Sequence, residues 1–206
     1  MFCADSAKKG LSVAVALGLG VFAQASDVTL TGTATGLFDN GLTTINGLTY
    51  VGSTFDITSS GGFYALGSNA GSPNFNNLGS FTLSGDPFDY TGDTFTLDIT
   101  FTEPAGIQGS NTATYTAALV GDVTSNNVGG VSIDFPSVPT TFNFVDGNNS
   151  GFFTIVVNTL SVTPGLTAPA TGEGQASQAA TTPGPSAAGC IATGLVGAVL
   201  RRRRKK

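Results

Sequence analysis

Across residues 27–164 apolar and polar positions alternate, with threonine recurring on the polar side. The clearest stretch is Thr-Phe-Thr-Leu-Asp-Ile-Thr-Phe-Thr at 94–102. A period of two places Phe95, Leu97, Ile99 and Phe101 on one face and Thr94, Thr96, Asp98, Thr100 and Thr102 on the other. The same alternation runs through 28–34 and 51–57, and again through 113–119, 131–135 and 142–144. Threonine is β-branched, which suits a pleated surface and loses rotamer freedom in a helix. The pattern predicts half-buried antiparallel strands, apolar inward and hydroxyl outward.

Turn-forming clusters punctuate these runs: Asn46-Gly47, Gly61-Gly62, 71–74, Gly85-Asp86-Pro87, 126–130 and 146–151. Glycine and asparagine there supply positive φ angles and local side-chain bonds that reverse a chain. No helical period of useful length occurs in the body. The expected class is all-β, an antiparallel β-sandwich of jelly-roll type with about eight to ten strands over 26–165. Thirteen of the 15 phenylalanines lie in this body, so it has material for a core. At 151–162 the buried parity changes between Val157 and Leu160, and a bulge near Asn158 is the expected cause. Residues 166–182 contain almost only Ala, Thr, Gly, Pro, Ser and Gln. Such a stretch has little to bury, and the expectation is a flexible linker.

The two ends have a different grammar. Residues 1–25 combine Lys8 and Lys9, an apolar run at 11–22 and a small-x-small ending at Ala23-Gln24-Ala25. That is the layout of a secretory signal helix, cleaved between Ala25 and Ser26. Cys3 precedes the apolar run and would be discarded with it. Residues 183–206 read as a short turn motif, a brief apolar helix and six terminal positive charges. The apolar segment 187–200 would reach about 21 Å as a helix, against a hydrocarbon core of about 30 Å. It suits a transient stop-transfer segment, its cations held in the cytoplasm by the positive-inside bias.

Charge sharpens the division. Residues 27–200 contain no Lys, Arg or His but twelve of the 13 acids. Such a body repels phosphate backbones and anionic lipid, which excludes nucleic acid as a partner. It has no imidazole base, no Schiff-base amine and no guanidinium clamp. The two cysteines, Cys3 and Cys190, lie in the terminal segments, so the body has neither a disulfide nor a thiolate metal site.

The tail resembles the C-terminal sorting signal of PEP-CTERM proteins, the presumed exosortase substrates. The matching residues are Pro183 and Pro185, the apolar segment 187–200, and Arg201, Arg202, Arg203 and Arg204, followed by Lys205 and Lys206. Gly184 stands where that family usually has Glu. The resemblance spans only the last 24 residues. It implies that signal peptidase and an exosortase-like membrane protease process the chain. It further implies transient anchoring in the inner membrane, then release or display of the body at the cell surface.

Three places carry candidate chemistry. Asp86, Asp89 and Asp93 are spaced closely enough for a loop to ligate Ca²⁺, the one cofactor the sequence raises, although the spacing does not fit an EF-hand loop and ordinary turn formation is the simpler account. The loop at 146–151 could meet sugar hydroxyls or a cation at a strand end, and it also fits a plain hairpin. Glu103 is a lone Glu before Pro104, whereas glycoside hydrolysis needs two carboxylates. For sugar stacking there is no Trp, only Tyr50, Tyr64, Tyr90 and Tyr115. The expectation is an exported surface or extracellular-matrix protein without enzymatic activity, in contact with exopolysaccharide. The alternative is a carbohydrate-binding module, Ca²⁺-assisted through 86–93; a carboxylate glycosidase comes third. One outcome follows from charge alone. Trypsin should leave 27–200 uncut even in denaturant, as read by intact mass, because that span offers no Lys or Arg.

Overall fold

The computed structural model describes residues 26–67, 75–125, 127–147 and 149–179. The signal segment with Ala25, the 71–74 turn, the Pro183-Gly184-Pro185 motif and the arginine block lie outside the described residues. Within them all regular structure is strand. In chain order the first strands are β1 (Thr29–Phe38), β2 (Thr44–Ile45), β3 (Leu48–Val51), β4 (Ser53–Thr58), β5 (Phe63–Leu66) and β6 (Ser80–Leu83). Then come β7 (Phe88–Asp89), β8 (Thr94–Glu103), β9 (Thr112–Val120), β10 (Asp122–Val123) and β11 (Val131–Asp134). The last are β12 (Thr140–Asp146), β13 (Asn149–Val157), β14 (Leu160–Val162), β15 (Thr167–Pro169) and β16 (Gly172–Ala179).

These strands pair antiparallel. A six-stranded sheet runs β14-β11-β9-β8-β1-β4, and two four-stranded sheets run β12-β13-β16-β5 and β15-β6-β3-β2, with β7 and β10 as a separate pair. β8 is the spine. Phe95, Leu97, Ile99 and Phe101 are buried, as the period of two predicts, while its threonines and Asp98 lie on the more open face. Phe95 meets Phe38, Tyr50 and Phe81 with ring centroids 4.8–5.0 Å apart, joining the six-stranded sheet to β3 and β6. Six residues on, Phe101 meets Phe142 at 5.1 Å and Phe153 at 4.7 Å, joining the same sheet to β12 and β13. Burying each such ring contributes about 1.5–3 kcal/mol. Aromatic pairing in these tilted and edge-to-face arrangements adds about 0.5–1.5 kcal/mol per pair.

Two glycines on the buried face of β1 make room for these rings. A Cβ on Gly36 would run into the Phe95 ring, and one on Gly32 into the Phe55 ring. The Asn46-Gly47 turn closes β2 onto β3 with both residues at positive φ, 42° and 85°, in the geometry of a two-residue hairpin whose twist matches its strands. The 146–151 loop is likewise a hairpin, with Asp146 paired to Asn149.

Three expectations are corrected. The 51–57 stretch is two strands of different sheets, because the chain crosses between sheets at Gly52, whose missing side chain allows close passage past the Ala34 carbonyl. No bulge at Asn158 explains the parity change: β13 and β14 belong to different sheets, and Asn158 sits at the crossing with its N–H donated to the Thr171 carbonyl at 2.9 Å. Residues 167–169 and 172–179 of the expected linker are strands, β15 and β16, and β16 lies inside its sheet between β13 and β5. Its small residues are the reason it fits. Gly172 and Ala176 turn inward under large neighbours, and Ala170 just before it is fully buried. Ser26 forms a bridge with Gln178 near the end of β16, so the two ends of the described body meet.

The position of β16 makes truncation diagnostic. A chain ending after Thr182 should melt at the same temperature as the full chain, measured by circular dichroism. One ending after Pro169 should lose the cooperative transition, because Phe153, Ile155 and Tyr64 would be uncovered.

Candidate functional site

The tyrosines set the frame. All four are buried, and each donates its hydroxyl to a backbone carbonyl in another segment: Tyr50 to Leu78 at 2.9 Å, Tyr90 to Asn46 at 2.6 Å, Tyr115 to Ile155 at 2.5 Å, and Tyr64 to Thr154. Burial pushes the Tyr50 and Tyr64 hydroxyls far above the usual phenol range, with the neighbouring Tyr115 adding to the effect at Tyr64. They stay protonated donors, and none is open to stack on a sugar.

Two of these ties end on β13. The β13–β16 ladder pairs Ser150 to Phe153 and resumes at Val156, passing over Thr154 and Ile155. Tyr64 and Tyr115 cap those two carbonyls from opposite sheets. Thr154 Oγ1 meanwhile accepts the Gln175 N–H at 3.1 Å. Gly174 is required here, since a Cβ would collide with the Thr154 carbonyl oxygen and crowd the Tyr64 hydroxyl.

Over this irregularity, on the outer side of the sheet, lies an open groove of about 820 Å³. Its lining includes Phe63 and Ala65 from β5, Thr154 and Val156 from β13, Glu173 and Gln175 from β16, and Pro139 ahead of β12. Register explains the grouping: Val156 lies opposite Glu173, Glu173 opposite Ala65, and Gln175 opposite Phe63. The Phe63 ring is 62% exposed. Farther along the same face Phe152, opposite Ser177, is 39% exposed. A smaller groove of about 340 Å³ lies at Thr35, Leu37, Thr96 and Asp98 on the six-stranded sheet.

The sequence-derived candidates lie elsewhere. Asp86 accepts a hydrogen bond from Ser84 Oγ at 2.9 Å. Asp89 accepts the Thr91 N–H at 2.9 Å, and that backbone bond, joined by one from the Thr91 side chain, holds its carboxyl below the usual range. Asp93 has its Oδ2 buried without a hydrogen-bond partner. Burial, then the charges of Asp39 and Asp89, push its pKa up. Among the described residues no group of three or more His, Cys, Asp or Glu is placed to hold a metal ion, so Asp86, Asp89 and Asp93 are not gathered into one. Glu103 is exposed at the end of β8, opposite Thr31 and outside both grooves.

Phe63, Glu173 and Gln175 were not singled out by sequence. The signal for Phe63 is its parity: it alternates with the buried Tyr64 and Leu66 just after a Gly-Gly turn. Glu173 and Gln175 are hidden in a stretch whose composition reads as linker. Compared with family models, with characterised proteins and with solved structures, the chain gives no match.

Asp93 yields a pH-dependent outcome. A carboxyl with a raised folded pKa holds its proton better folded than unfolded, so its contribution to stability falls as pH rises through that interval. Asp93→Asn should therefore raise the melting temperature at about pH 7, with the gain closing as pH drops below the ordinary carboxylate value of about 4. Melts across that range check it; a gain independent of pH would contradict the assignment.

Proposed function

We propose that the chain is an exported surface or extracellular-matrix protein whose body is a non-enzymatic β-sandwich of jelly-roll type. The observation that carries the reading is the distribution of charge. Positive residues occur only before the body and after it, in a signal-like segment and in a PEP-CTERM-like tail, while the body between them is wholly acidic. Contacts of Phe95 and Phe101 with rings from both four-stranded sheets support the layered arrangement. A body with no Lys, Arg or His is poorly equipped for acid–base or electrostatic catalysis.

In this reading signal peptidase cuts before Ser26, and an exosortase-like protease cuts near Pro183, Gly184 and Pro185. Arg201, Arg202, Arg203 and Arg204 act as stop-transfer charges during a transient stay in the inner membrane. The second cut would spare every strand, because β16 ends at Ala179. Exopolysaccharide is the surrounding medium and the natural contact.

The intact mass of the mature protein from its native host tests this. The expected species starts at Ser26 and ends near Pro185. A species that retains residues 201–206 would overturn the sorting assignment, and one that retains 1–25 would overturn the export signal.

A further inference from the structure

We infer that the groove across β13, β16 and β5 binds a segment of neutral polysaccharide chain, with Phe63 as its stacking platform. The inference rests on the exported reading only for its biological setting. Its physical basis is the lining of the groove. A volume of about 820 Å³ falls within the range typical of ligand sites. The apolar floor of Ala65, Val156 and Pro139 suits the C–H face of a sugar ring, and the exposed Phe63 ring stands at one side. Phe63 is the most exposed aromatic ring among the described residues and adjoins that apolar floor, so it belongs to a contiguous patch and is not a scattered single side chain.

The polar groups match hydroxyls. Glu173 accepts, the Gln175 amide both donates and accepts, and the Thr154 hydroxyl, already an acceptor for the Gln175 N–H, keeps its own hydrogen to donate. Hydroxyl groups are donors and acceptors at once, so a polyol satisfies all three. Register makes the set compact: Gln175 lies beside Phe63, and Glu173 is its diagonal neighbour, within reach of an aromatic side chain.

Two further observations narrow the class. With no cation among the described residues and Glu173 in the lining, a polyanionic glycan would meet repulsion without compensation. The groove is open, and Phe152 offers a second exposed ring two strands over and two residues along, about 12 Å away by strand spacing and rise. That separation suits an extended chain rather than a single sugar.

Affinity electrophoresis of the full chain in gels containing a soluble β-glucan, xylan or galactomannan, with alginate as the anionic control, decides the matter. At least one neutral polymer should retard the wild type, and alginate should not. Phe63→Ala should weaken that retardation by about tenfold or more, and Glu173→Gln by a smaller factor, with melting temperatures unchanged. Sedimentation velocity run in parallel reports self-association. Retardation unaffected by Phe63→Ala would leave glycan binding standing but overturn this groove. No retardation by any neutral polymer would overturn the inference without touching the export reading, which mature masses test. A dimer that Phe63→Ala dissociates would make the groove an interface between copies and overturn it equally.

Discussion

A body without a single positive side chain cannot tie its sheets together with ion pairs, and that constraint shapes the rest of the structure. Two interactions do the work instead. Phenylalanine rings from three sheets converge on Phe95 and Phe101, while tyrosine hydroxyls cross between segments to backbone carbonyls. A neutral hydrogen bond contributes only about 0.5–1.5 kcal/mol net. Burying a ring contributes about 1.5–3 kcal/mol. A tyrosine supplies both at once. The sheet can afford its irregularity at Thr154 and Ile155 because Tyr64 and Tyr115 meet it there.

The outer face of the six-stranded sheet follows from the same constraint. Threonines on neighbouring strands bond across them, Thr100 to Thr112 at 3.0 Å and Thr29 to Thr58 at 3.1 Å as opposite pairs, and Thr31 to Thr102 at 2.8 Å beside a register shift. Each such pair is worth about 0.2–1 kcal/mol. Acids interrupt the array only at exposed or half-exposed positions, such as Asp56 and Asp98, where water screens their charge. Asp98 also accepts a hydrogen bond from Thr114 at 2.6 Å. Asp93, just ahead of β8, is also half-exposed but has one oxygen buried without a hydrogen-bond partner.

How much of this could be read from residues alone depended on side-chain size. β8 was legible because large apolar residues at every second position leave one reading. The Asn46-Gly47 turn was legible because few other pairs tolerate two positive φ angles. β16 was not, since Gly-Glu-Gly-Gln-Ala-Ser-Gln-Ala has no large apolar residue: its partners β13 and β5 supply the bulk that it covers. Sheet crossings at Gly52 and Asn158 were equally hidden, because alternation reports which way a residue points and not which sheet it joins. The groove inherited the difficulty of β16, which supplies Glu173 and Gln175, whereas Phe63 carried a parity signal in its alternation with Tyr64 and Leu66.

The bridge between Ser26 and Gln178 has a mechanical consequence. A globule whose two ends meet hangs from the same point whether held by its leading segment or its trailing one. Passing from one tether to the other would not turn it over. Five residues separate Gln178 from Glu173 along β16, about 17 Å at the rise of a strand. Under the export reading proposed above, the groove would keep one standoff from the point of suspension whichever end held the body.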